Sequence, residues 1–405
     1  MKILFLTQYY PPEVGAPQNR IHELAVRLKT LGAKITVLTA MPNYPQMEIH
    51  EEYKGLKTHR ETIDGIEVHR TSIYIPKKKS ITERLKNYFS FVMSSYKYGK
   101  KLPDFDYIFC ESPPLFLGYS AMKISKKLKA KLIFNVSDLW PESAEKLNLV
   151  NNKFFLKMAY KLEAKCYKKS HFITGQTQGI VKDIKDRFPN KKVFWLPNGV
   201  DLSLFKPEET QTNWRSENGF NEDDFIFLYA GILGHAQGLE VIIKAAKKVQ
   251  SNPKLKFILL GSGPEKEKLQ NLKEELKTDN VYFFDAVSKK EIPSIIKAIN
   301  CSIVPLKKLD LFLGAIPSKI FELLAMKTPI LLGVDGEARD LFIKEGNSGL
   351  YFEPENENEL AEQISKISYD FVLYNQLAEN ARIYVDKKFN RNNIAKDFWK
   401  ILQEN

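Results

Sequence analysis

Short apolar segments alternate with amphipathic helical patterns along the whole chain, and this alternation restarts once near the middle. The apolar segments before the restart are residues 2–7, 34–39, 107–110, 132–136, 171–174 and 193–196. Those after it are residues 225–230, 257–261, 281–284, 302–305 and 330–332. Short buried strands that alternate with helices are typical of βαβ units on a parallel sheet. The pattern predicts an α/β protein made of two successive doubly wound, Rossmann-like domains.

The polar segment 206–224 separates the two halves and is the best candidate for a linker. We therefore predict a first domain at 1–205 and a second at 206–385, followed by a terminal segment at 386–405 that contains a helix. The chain has 405 residues, 43% of them hydrophobic, which is enough for two cores. No apolar run approaches the roughly 18–20 residues that span a bilayer.

Positive charge is concentrated in the first half. Residues 1–200 contain 34 Lys and Arg against 18 Asp and Glu, a net charge of +16, whereas residues 201–405 carry a net charge of −4. Two helical segments stand out, one at 77–101 with eight basic residues around an apolar face, and one at 153–169 with a lysine stripe. Basic residues beside an apolar-aromatic face are typical of helices that lie on anionic membranes.

The apolar positions of segment 77–101 are Ile81, Leu85, Tyr88, Phe89, Val92 and Tyr96. The lysines of the stripe are Lys153, Lys157, Lys161 and Lys165. The alternative interpretation of each stripe is a solvated helix face. The same charges could bind RNA or DNA in a protein without enzymatic activity, but no ribonucleoprotein or helix-turn-helix signature accompanies them. We therefore expect contact with an anionic membrane surface and none with nucleic acid.

Two glycine-rich loops follow neighbouring strands of the second half. The first contains Gly231, Gly234 and Gly238, and the second contains Gly261 and Gly263. Glycine lets backbone N–H groups approach a phosphate closely, and a following helix N-terminus favours negative charge. The spacing is neither the dinucleotide fingerprint nor a P-loop. Together the loops predict a phosphate-binding site at this edge of the second sheet.

A third segment places a cation and a carboxylate one helical turn apart. Pro317 fits the first turn of a helix, and Lys319 and Glu322 then share one face near its N-terminal end. Lys319 could meet a diphosphate as a point charge, and Glu322 could accept hydrogen bonds from both hydroxyls of a ribose. The alternative interpretation is a surface ion pair. Beside two phosphate-type loops, we favour the functional interpretation.

Taken in order, these motifs resemble one family. The Asn-Gly-Val-Asp sequence at 198–201 with Phe205, the glycine loops at 231–238 and 261–264, and the Pro-Ser-Lys sequence leading to Glu322 are similar to the retaining glycosyltransferases of family 4, which have the GT-B fold. The resemblance covers essentially the whole chain. Residues 138–143 and 236–239 resemble most closely the bacterial N-acetylfucosamine transferases of O-antigen and capsule assembly.

The resemblance implies two Rossmann-like domains that face a cleft, with the last helix crossing back to the first domain. It implies a retaining reaction without a metal or other cofactor. The expected donor is a UDP-sugar, and the expected acceptor is a polyprenyl-diphosphate-linked saccharide. The enzyme is expected in the cytoplasm, attached peripherally to the inner face of the cell membrane. The catalytic residues assigned in this way are Asp138, Lys319 and Glu322. The substrate-binding residues are Gly15, Ala16, Asn198, Gly231, Gly234, Gln237, Gly238, Gly261, Gly263, Ala315, Ile316 and Ser318.

Departures from the family pattern carry information about the donor. Ile232 and Gln237 stand where many members have Arg and Lys, which shifts the neutralisation of the diphosphate to Lys319 and backbone amides. Gly314 stands where the family has a second glutamate, eight residues before Glu322. Backbone amides near Ala315 and Ile316 are therefore expected to hold the sugar.

Ser137 replaces a histidine that commonly contacts the 6-hydroxyl of the sugar, which is compatible with a 6-deoxy donor. A rotated pocket is the alternative. The neighbouring Asp138 either orients the acceptor or supports the sugar pocket, or it caps the following helix.

Metal chemistry is not expected. Asp104 and Asp106 form a literal D-x-D sequence, but they follow a proline and are interpreted as a solvated turn. The histidines show no metal-ligand spacing, and Cys110, Cys166 and Cys301 lie too far apart in sequence for a recognisable metal or disulfide motif. A UDP-sugar 2-epimerase of the same fold is the enzymatic alternative. It would leave the basic first half unexplained.

Overall fold

The structure is a computed structural model that describes residues 1–13, 15–44, 46–76, 80–146 and 150–405. The chain divides into two compact units. Unit 1 consists of Met1–Asn198 together with Ile394–Asn405, and unit 2 consists of Gly199–Asn393.

Unit 1 is a doubly wound α/β unit. Its strands are β1 (Lys2–Leu6), β2 (Lys34–Ala40), β3 (Thr58–Ile63), β4 (Ile66–Thr71), β5 (Tyr107–Ser112), β6 (Lys131–Val136), β7 (Phe172–Gly175) and β8 (Val193–Trp195). Its helices are α1 (Ala16–Thr30), α2 (Ile81–Gly99), α3 (Leu117–Leu128), α4 (Glu142–Lys146), α5 (Lys153–Lys169) and α6 (Gln178–Arg187). The sheet order is β3-β4-β2-β1-β5-β6-β7-β8, and the β3–β4 pair is antiparallel whereas the other pairs are parallel.

Most strands of unit 1 are buried because helices pack on the sheet, whereas the edge strand β3 is exposed or half-buried along its length. All six residues of β5 are buried, as expected for a central parallel strand with an almost continuous apolar sequence. Capping groups set the helix starts: the Ser80 hydroxyl accepts from the Glu83 amide before α2, and the Asn152 side chain accepts from the Phe155 amide before α5. These caps fix where the two basic helices begin.

The last helix, α15 (Arg391–Glu404), belongs to unit 1 from Ile394 onward. The Tyr107 hydroxyl donates to the carbonyl of Leu402 over 3.1 Å, and the rings of Phe109 and Phe398 pack edge to face with centroids 5.8 Å apart. A helix from the end of the chain therefore completes the core of the first unit, in agreement with the GT-B expectation.

The unit boundaries differ from the predicted ones. The sequence placed them after residues 205 and 385, whereas the structure divides the chain after Asn198 and again after Asn393. The reason is hydrogen bonding inside unit 2: the Val200 amide donates to the carbonyl of Phe389, and the Arg382 guanidinium donates to the carbonyl of Phe205. The segment after Asn198 thus belongs with the helix that precedes α15.

Unit 2 is a second, all-parallel α/β unit. Its strands are β9 (Phe225–Ala230), β10 (Leu255–Leu260), β11 (Val281–Phe284), β12 (Cys301–Pro305), β13 (Ile330–Gly333) and β14 (Gly349–Tyr351). Its helices are α7 (Trp214–Glu217), α8 (Glu240–Lys248), α9 (Lys266–Leu276), α10 (Ile292–Ala298), α11 (Lys319–Ala325), α12 (Glu337–Arg339), α13 (Glu357–Tyr369) and α14 (Phe371–Phe389). The sheet order is β11-β10-β9-β12-β13-β14.

The strand order of unit 2 reverses between β9 and β12. In open parallel sheets, ligands bind beside the carboxyl ends of the strands at such a reversal point. The loop after β9 carries Gly231, the loop after β10 carries Gly261, and the segment after β12 leads to Lys319. The topology therefore brings the three predicted binding segments to one edge of one sheet.

The sequence missed three strands. β3 and β4 form a hairpin around Asp64 and Gly65, and β14 forms one edge of the second sheet. Residues of β3 alternate between exposed and half-buried, so this strand has no apolar run to reveal it. Among the described residues, no helix is both long and apolar enough to cross a bilayer.

Candidate functional site

Unit 2 contains a cavity of about 690 Å³ beside the carboxyl ends of β9, β10 and β12. The predicted site residues that line it are Gly231, Gln237, Gly261, Ala315, Ile316, Ser318, Lys319 and Glu322. They come from three segments that are far apart in sequence and that the sheet brings together. The cavity is large enough for a nucleotide-sized ligand.

Close packing of the two glycine loops forms the back of the cavity. Gly231 and Gly261 have φ angles of 142° and 148°, which side chains rarely tolerate. A Cβ atom on Gly261 would lie 1.9 Å from the carbonyl oxygen of Gly231, and one on Gly231 would lie 2.9 Å from Nζ of Lys319. Glycine at these two positions keeps the loops in contact and leaves room for the lysine.

Two of the backbone amides assigned to substrate are already engaged within unit 2. The Gly231 amide donates to the carbonyl of Leu260, and the Ala315 amide donates to the carbonyl of Phe312, each over 2.9 Å. The expectation that these amides hold phosphate and sugar therefore does not fit the structure, because sheet-edge and turn hydrogen bonds use them. Gly231 contributes space, and Lys319 is left as the cation of the cavity.

Lys319 lies over an aromatic ring inside the cavity. Its Nζ atom is 3.8 Å from the ring centroid of Tyr229, and the Tyr229 hydroxyl donates to the carbonyl of Ile232 over 2.7 Å. Burial lowers the pKa of Lys319 to about 7, while the negative charge of Glu322 acts in the opposite direction. A desolvated ammonium held in this way is poised to gain from an anionic ligand.

Tyr229 was missed as a site residue. It is the penultimate residue of β9, two positions before Gly231, and its ring supports the lysine through a cation–π contact. An aromatic residue at the end of the strand that feeds a phosphate-type loop is the signal that could have indicated it. The apolar wall, which includes Val287, Ile292 and Phe312, was also missed because no sequence motif marks it.

The other predicted glycines shape the loops without lining the cavity. A Cβ atom on Gly263 would lie 2.3 Å from the carbonyl oxygen of Leu233, and one on Gly234 would lie 2.8 Å from Oε1 of Gln237. Gly238 closes the turn of the first loop and lies against the side chain of Lys307. These three glycines therefore allow the conformation of the loops. They do not line the cavity, so the structure does not place them at the substrate contacts predicted for them.

The remaining predicted site residues lie in unit 1. Gly15 precedes α1, Ala16 is the first residue of that helix, and Asn198 is buried at the end of the main segment of unit 1. Asp138 follows β6, and its carboxylate accepts a hydrogen bond from the Ser143 hydroxyl over 2.8 Å. Ser143 lies in the first turn of α4, so the aspartate stabilises the start of that helix through a side chain.

A buried polar network lies beside Asp138 and was not predicted. The Arg20 guanidinium donates to the Glu111 carboxylate over 2.5 Å and to the Ser137 hydroxyl over 2.6 Å, and the Arg20 and Glu111 side chains are almost fully buried. Asn135 also donates to Glu111. The Ser137 hydroxyl is therefore committed to neighbouring protein groups, because it also donates to Glu111. Arg20 and Glu111 lie on different elements, so no local spacing could have indicated the pair.

On the two basic helices of unit 1, the apolar side chains that are exposed differ from those predicted to face a membrane. Val92 is buried in the core, and Leu85, Tyr88 and Tyr96 are half-buried. On α2 the exposed apolar side chains are Phe89 and Met93. On α5 they are Phe154, with 76% of its surface exposed, and Met158, with 52% exposed. The lysines at positions 77–79, which were part of the prediction, lie outside the described residues.

The D-x-D sequence has a structural role at one of its carboxylates. Asp106 accepts a hydrogen bond from the Lys2 amide over 2.7 Å, and the intervening Phe105 is buried in the core. Among the described residues, no three His, Cys, Asp or Glu side chains are grouped as a metal site.

Comparison with known proteins assigns both halves of the chain. Residues 17–204 match the model of Glycosyltransferase Family 4, and residues 210–384 match that of Glycosyl transferases group 1. The chain is 26% identical over 334 residues to Escherichia coli WcaI, named as a colanic acid biosynthesis glycosyl transferase, with 80% of this chain and 81% of WcaI covered. It is 23% identical over 413 residues to Bacillus subtilis TuaC, named as a teichuronic acid biosynthesis glycosyltransferase, with 98% and 96% covered.

A solved structure has the same fold. Anabaena HepE in complex with UDP-glucose matches with a TM-score of 0.72 at 17% identity, and all of both chains are covered. The two domain models are contiguous apart from residues 205–209 and account for each of the two parallel-sheet units in turn. The chain therefore belongs to the family 4 and group 1 glycosyltransferases and has the GT-B fold.

Proposed function

We propose that this glycosyltransferase transfers a sugar from a UDP-sugar to a lipid-diphosphate-linked saccharide, with retention of the anomeric configuration and without a metal or other cofactor. The observation that carries the proposal is Lys319, a half-buried lysine that lines the unit 2 cavity with Glu322 one helical turn away. The names of WcaI and TuaC, which refer to the synthesis of bacterial polysaccharides, support an acceptor of this class. The complex of HepE with UDP-glucose supports the donor.

In this proposal, one residue of the cavity neutralises charge on the donor and another orients the nucleotide. Lys319 neutralises the diphosphate, whose negative charge grows as the glycosidic bond to the sugar breaks. Glu322 accepts hydrogen bonds from the ribose hydroxyls and so fixes the nucleotide relative to the lysine. The acceptor oxygen forms its bond to the anomeric carbon on the face that the phosphate leaves, and the departing phosphate oxygen takes the acceptor proton. This chemistry needs positioned groups and no dedicated protein base.

The first prediction concerns pH. The pKa of Lys319 is about 7 in the free protein, so the lysine is charged below that pH and becomes neutral above it. A UDP-sugar diphosphate binds the charged form. Affinity for UDP-glucose should therefore fall as pH rises above about 7, by up to tenfold for each pH unit, because binding must then take up a proton. Both phosphates of UDP-glucose are diesters and do not titrate in this range.

Calorimetry in buffers of different ionisation enthalpy measures this proton uptake directly. Lys319→Gln should bind UDP-glucose weakly at every pH and take up no proton. Lys297→Gln, which neutralises an exposed lysine of α10, should behave like the wild type. An identical pH dependence in Lys319→Gln would show that another group controls the binding of the diphosphate.

The second prediction concerns the ribose. Glu322→Ala should weaken UDP-glucose binding about 10- to 100-fold, the loss expected for hydrogen bonds to a charged acceptor. The wild type should also prefer UDP-glucose over its 2′-deoxyribose analogue, and Glu322→Ala should lose that preference. Glu274→Ala, on an exposed face of α9, is the matched control. A variant that binds more weakly but keeps the full preference would move the carboxylate away from the ribose.

The third prediction concerns the sugar. We propose a 6-deoxy donor such as a UDP-linked N-acetyl-L-fucosamine, because the Ser137 hydroxyl is engaged by Arg20 and Glu111 and no histidine occupies that position. In a panel of UDP-sugars, transfer to a lipid-diphosphate acceptor should be faster for a 6-deoxy sugar than for its 6-hydroxy counterpart. Faster transfer from the 6-hydroxy sugar would exclude the donor assignment. Formation of an epimeric UDP-sugar without acceptor would favour the epimerase alternative.

The fourth prediction concerns the membrane. We propose that unit 1 contacts the inner face of the cell membrane through the exposed apolar side chains of α2 and α5, with lysines around them. Phe154→Ser combined with Met158→Ser should reduce cosedimentation with vesicles that contain phosphatidylglycerol by tenfold or more. Tyr369→Ser combined with Phe371→Ser, exposed positions of unit 2, is the control. Equal losses in both variants would contradict a contact through α5.

A further inference from the structure

A second cavity, on unit 1, is lined by lysines. It has a volume of about 450 Å³ and lies between α3 and α5. Lys123 and Lys126 of α3 and Lys165 and Lys169 of α5 line it, together with Tyr119 and Met122. We call these six residues the α3–α5 lysine pocket. It is separate from the donor cavity, and neither the catalytic proposal nor the family comparison assigns it a ligand.

The four lysines have no acidic partners in the described part of the chain. No carboxylate lines the pocket, and none of the four forms an ion pair with a described residue. Three lysines on other helices of unit 1 do form ion pairs: Lys86 with Glu83, Lys146 with Glu142 and Lys182 with Asp186. Positive charge that converges on one concave site without a counter-charge creates a potential that attracts anions.

Aromatic contacts hold part of this charge in place. Nζ of Lys123 lies 4.4 Å from the ring centroid of Tyr119 and 5.2 Å from that of Tyr96. Lys123, and to a smaller extent Lys165, lowers the pKa of the Tyr119 phenol, as expected at a site of positive potential. The two ring contacts restrict the Lys123 side chain, so less side-chain entropy is lost when an anion binds.

One face of α5 joins the pocket to the proposed membrane contact. Phe154, Met158, Lys161, Lys165 and Lys169 follow one another at intervals of three or four residues, so they share a helix face, and all five are exposed. This face changes from apolar to basic along the helix. A phospholipid has the matching order of acyl chain and phosphate, whereas a nucleic acid presents phosphate without a large apolar surface.

We propose that the α3–α5 lysine pocket binds the phosphodiester headgroup of an anionic phospholipid while Phe154 and Met158 contact the acyl region. That the bound headgroup belongs to a membrane lipid rests on the proposed membrane contact. Binding of the headgroup itself by the lysines does not depend on that contact. The pocket makes unit 1 selective for anionic over zwitterionic membranes. It is thus a lipid site distinct from the site of transfer.

The test neutralises one lysine from each helix. Lys126→Gln combined with Lys169→Gln should lower the affinity for vesicles of phosphatidylcholine with about one-third phosphatidylglycerol by roughly 20- to 30-fold, from the contribution of about 1 kcal/mol that each basic residue makes near an anionic surface. Binding to pure phosphatidylcholine vesicles should not change. Lys182→Gln combined with Lys185→Gln on α6 removes the same charge elsewhere on unit 1 and should change the affinity less than about threefold.

A soluble probe separates this inference from the membrane proposal. Glycerophosphoglycerol, the headgroup without acyl chains, should bind the wild type saturably and the Lys126/Lys169 variant weakly or not at all, as measured by NMR shifts of the lysine side chains. Headgroup binding without vesicle binding would refute the membrane contact and leave the pocket intact. Equal vesicle binding by the double variant, or absence of headgroup binding, would overturn the pocket. Tighter lysine-dependent binding of an RNA oligonucleotide than of the vesicles would overturn it as well.

Discussion

The placement of Lys319 beside Gly231 and over the ring of Tyr229 is the interaction on which the proposed donor site depends. Only glycine at 261 lets the second loop reach the carbonyl of Gly231, and only glycine at 231 leaves space for the ammonium above Tyr229. Taking the ammonium out of water lowers its pKa, which means that the free site holds a cation at a cost. In the proposed donor complex a diphosphate would offset that cost, so the packing of the loops would favour binding of an anion and stabilise the leaving group.

At the carboxyl edge of the sheet in unit 1, by contrast, a buried positive charge is neutralised by a carboxylate of the protein itself. Arg20 and Glu111 are both almost fully buried, but they neutralise one another, and Ser137 and Asn135 complete their hydrogen bonds. A satisfied network of this kind fixes the positions of its members and leaves little capacity for a ligand. The contrast with Lys319 supports the proposal that Lys319 binds substrate and that Arg20 does not. Arg20 is buried and has its counter-charge within hydrogen-bond distance, whereas Lys319 is half-buried and lies over the ring of Tyr229.

Much of this architecture could be predicted from the sequence because it is determined by patterns among residues that are close together in the chain. Residues 225–230 and 281–284 form strands with the predicted ends, since each is an apolar run between polar loops. Lys319 and Glu322 were found because helical spacing relates them. The β3–β4 hairpin was missed because its outer strand is polar, and the Arg20–Glu111 pair because its partners are 91 residues apart in the chain. On α5, periodicity shows that two faces exist, but only tertiary packing decides that Leu156 is buried while Phe154 is exposed.

The proposed donor site and the α3–α5 lysine pocket are suited to different anions because their surroundings differ. Lys319 lines a partly open cavity and is half-buried, so salt screens its interactions less than those of a fully exposed lysine, and in the proposed function Glu322 orients the ligand. The lysines of the α3–α5 pocket are exposed, so mobile ions screen them and their attraction extends only about 8–10 Å at physiological ionic strength. Several exposed charges can hold a protein at an anionic surface reversibly, and under the proposed function this would keep the enzyme near a lipid-linked acceptor between transfers.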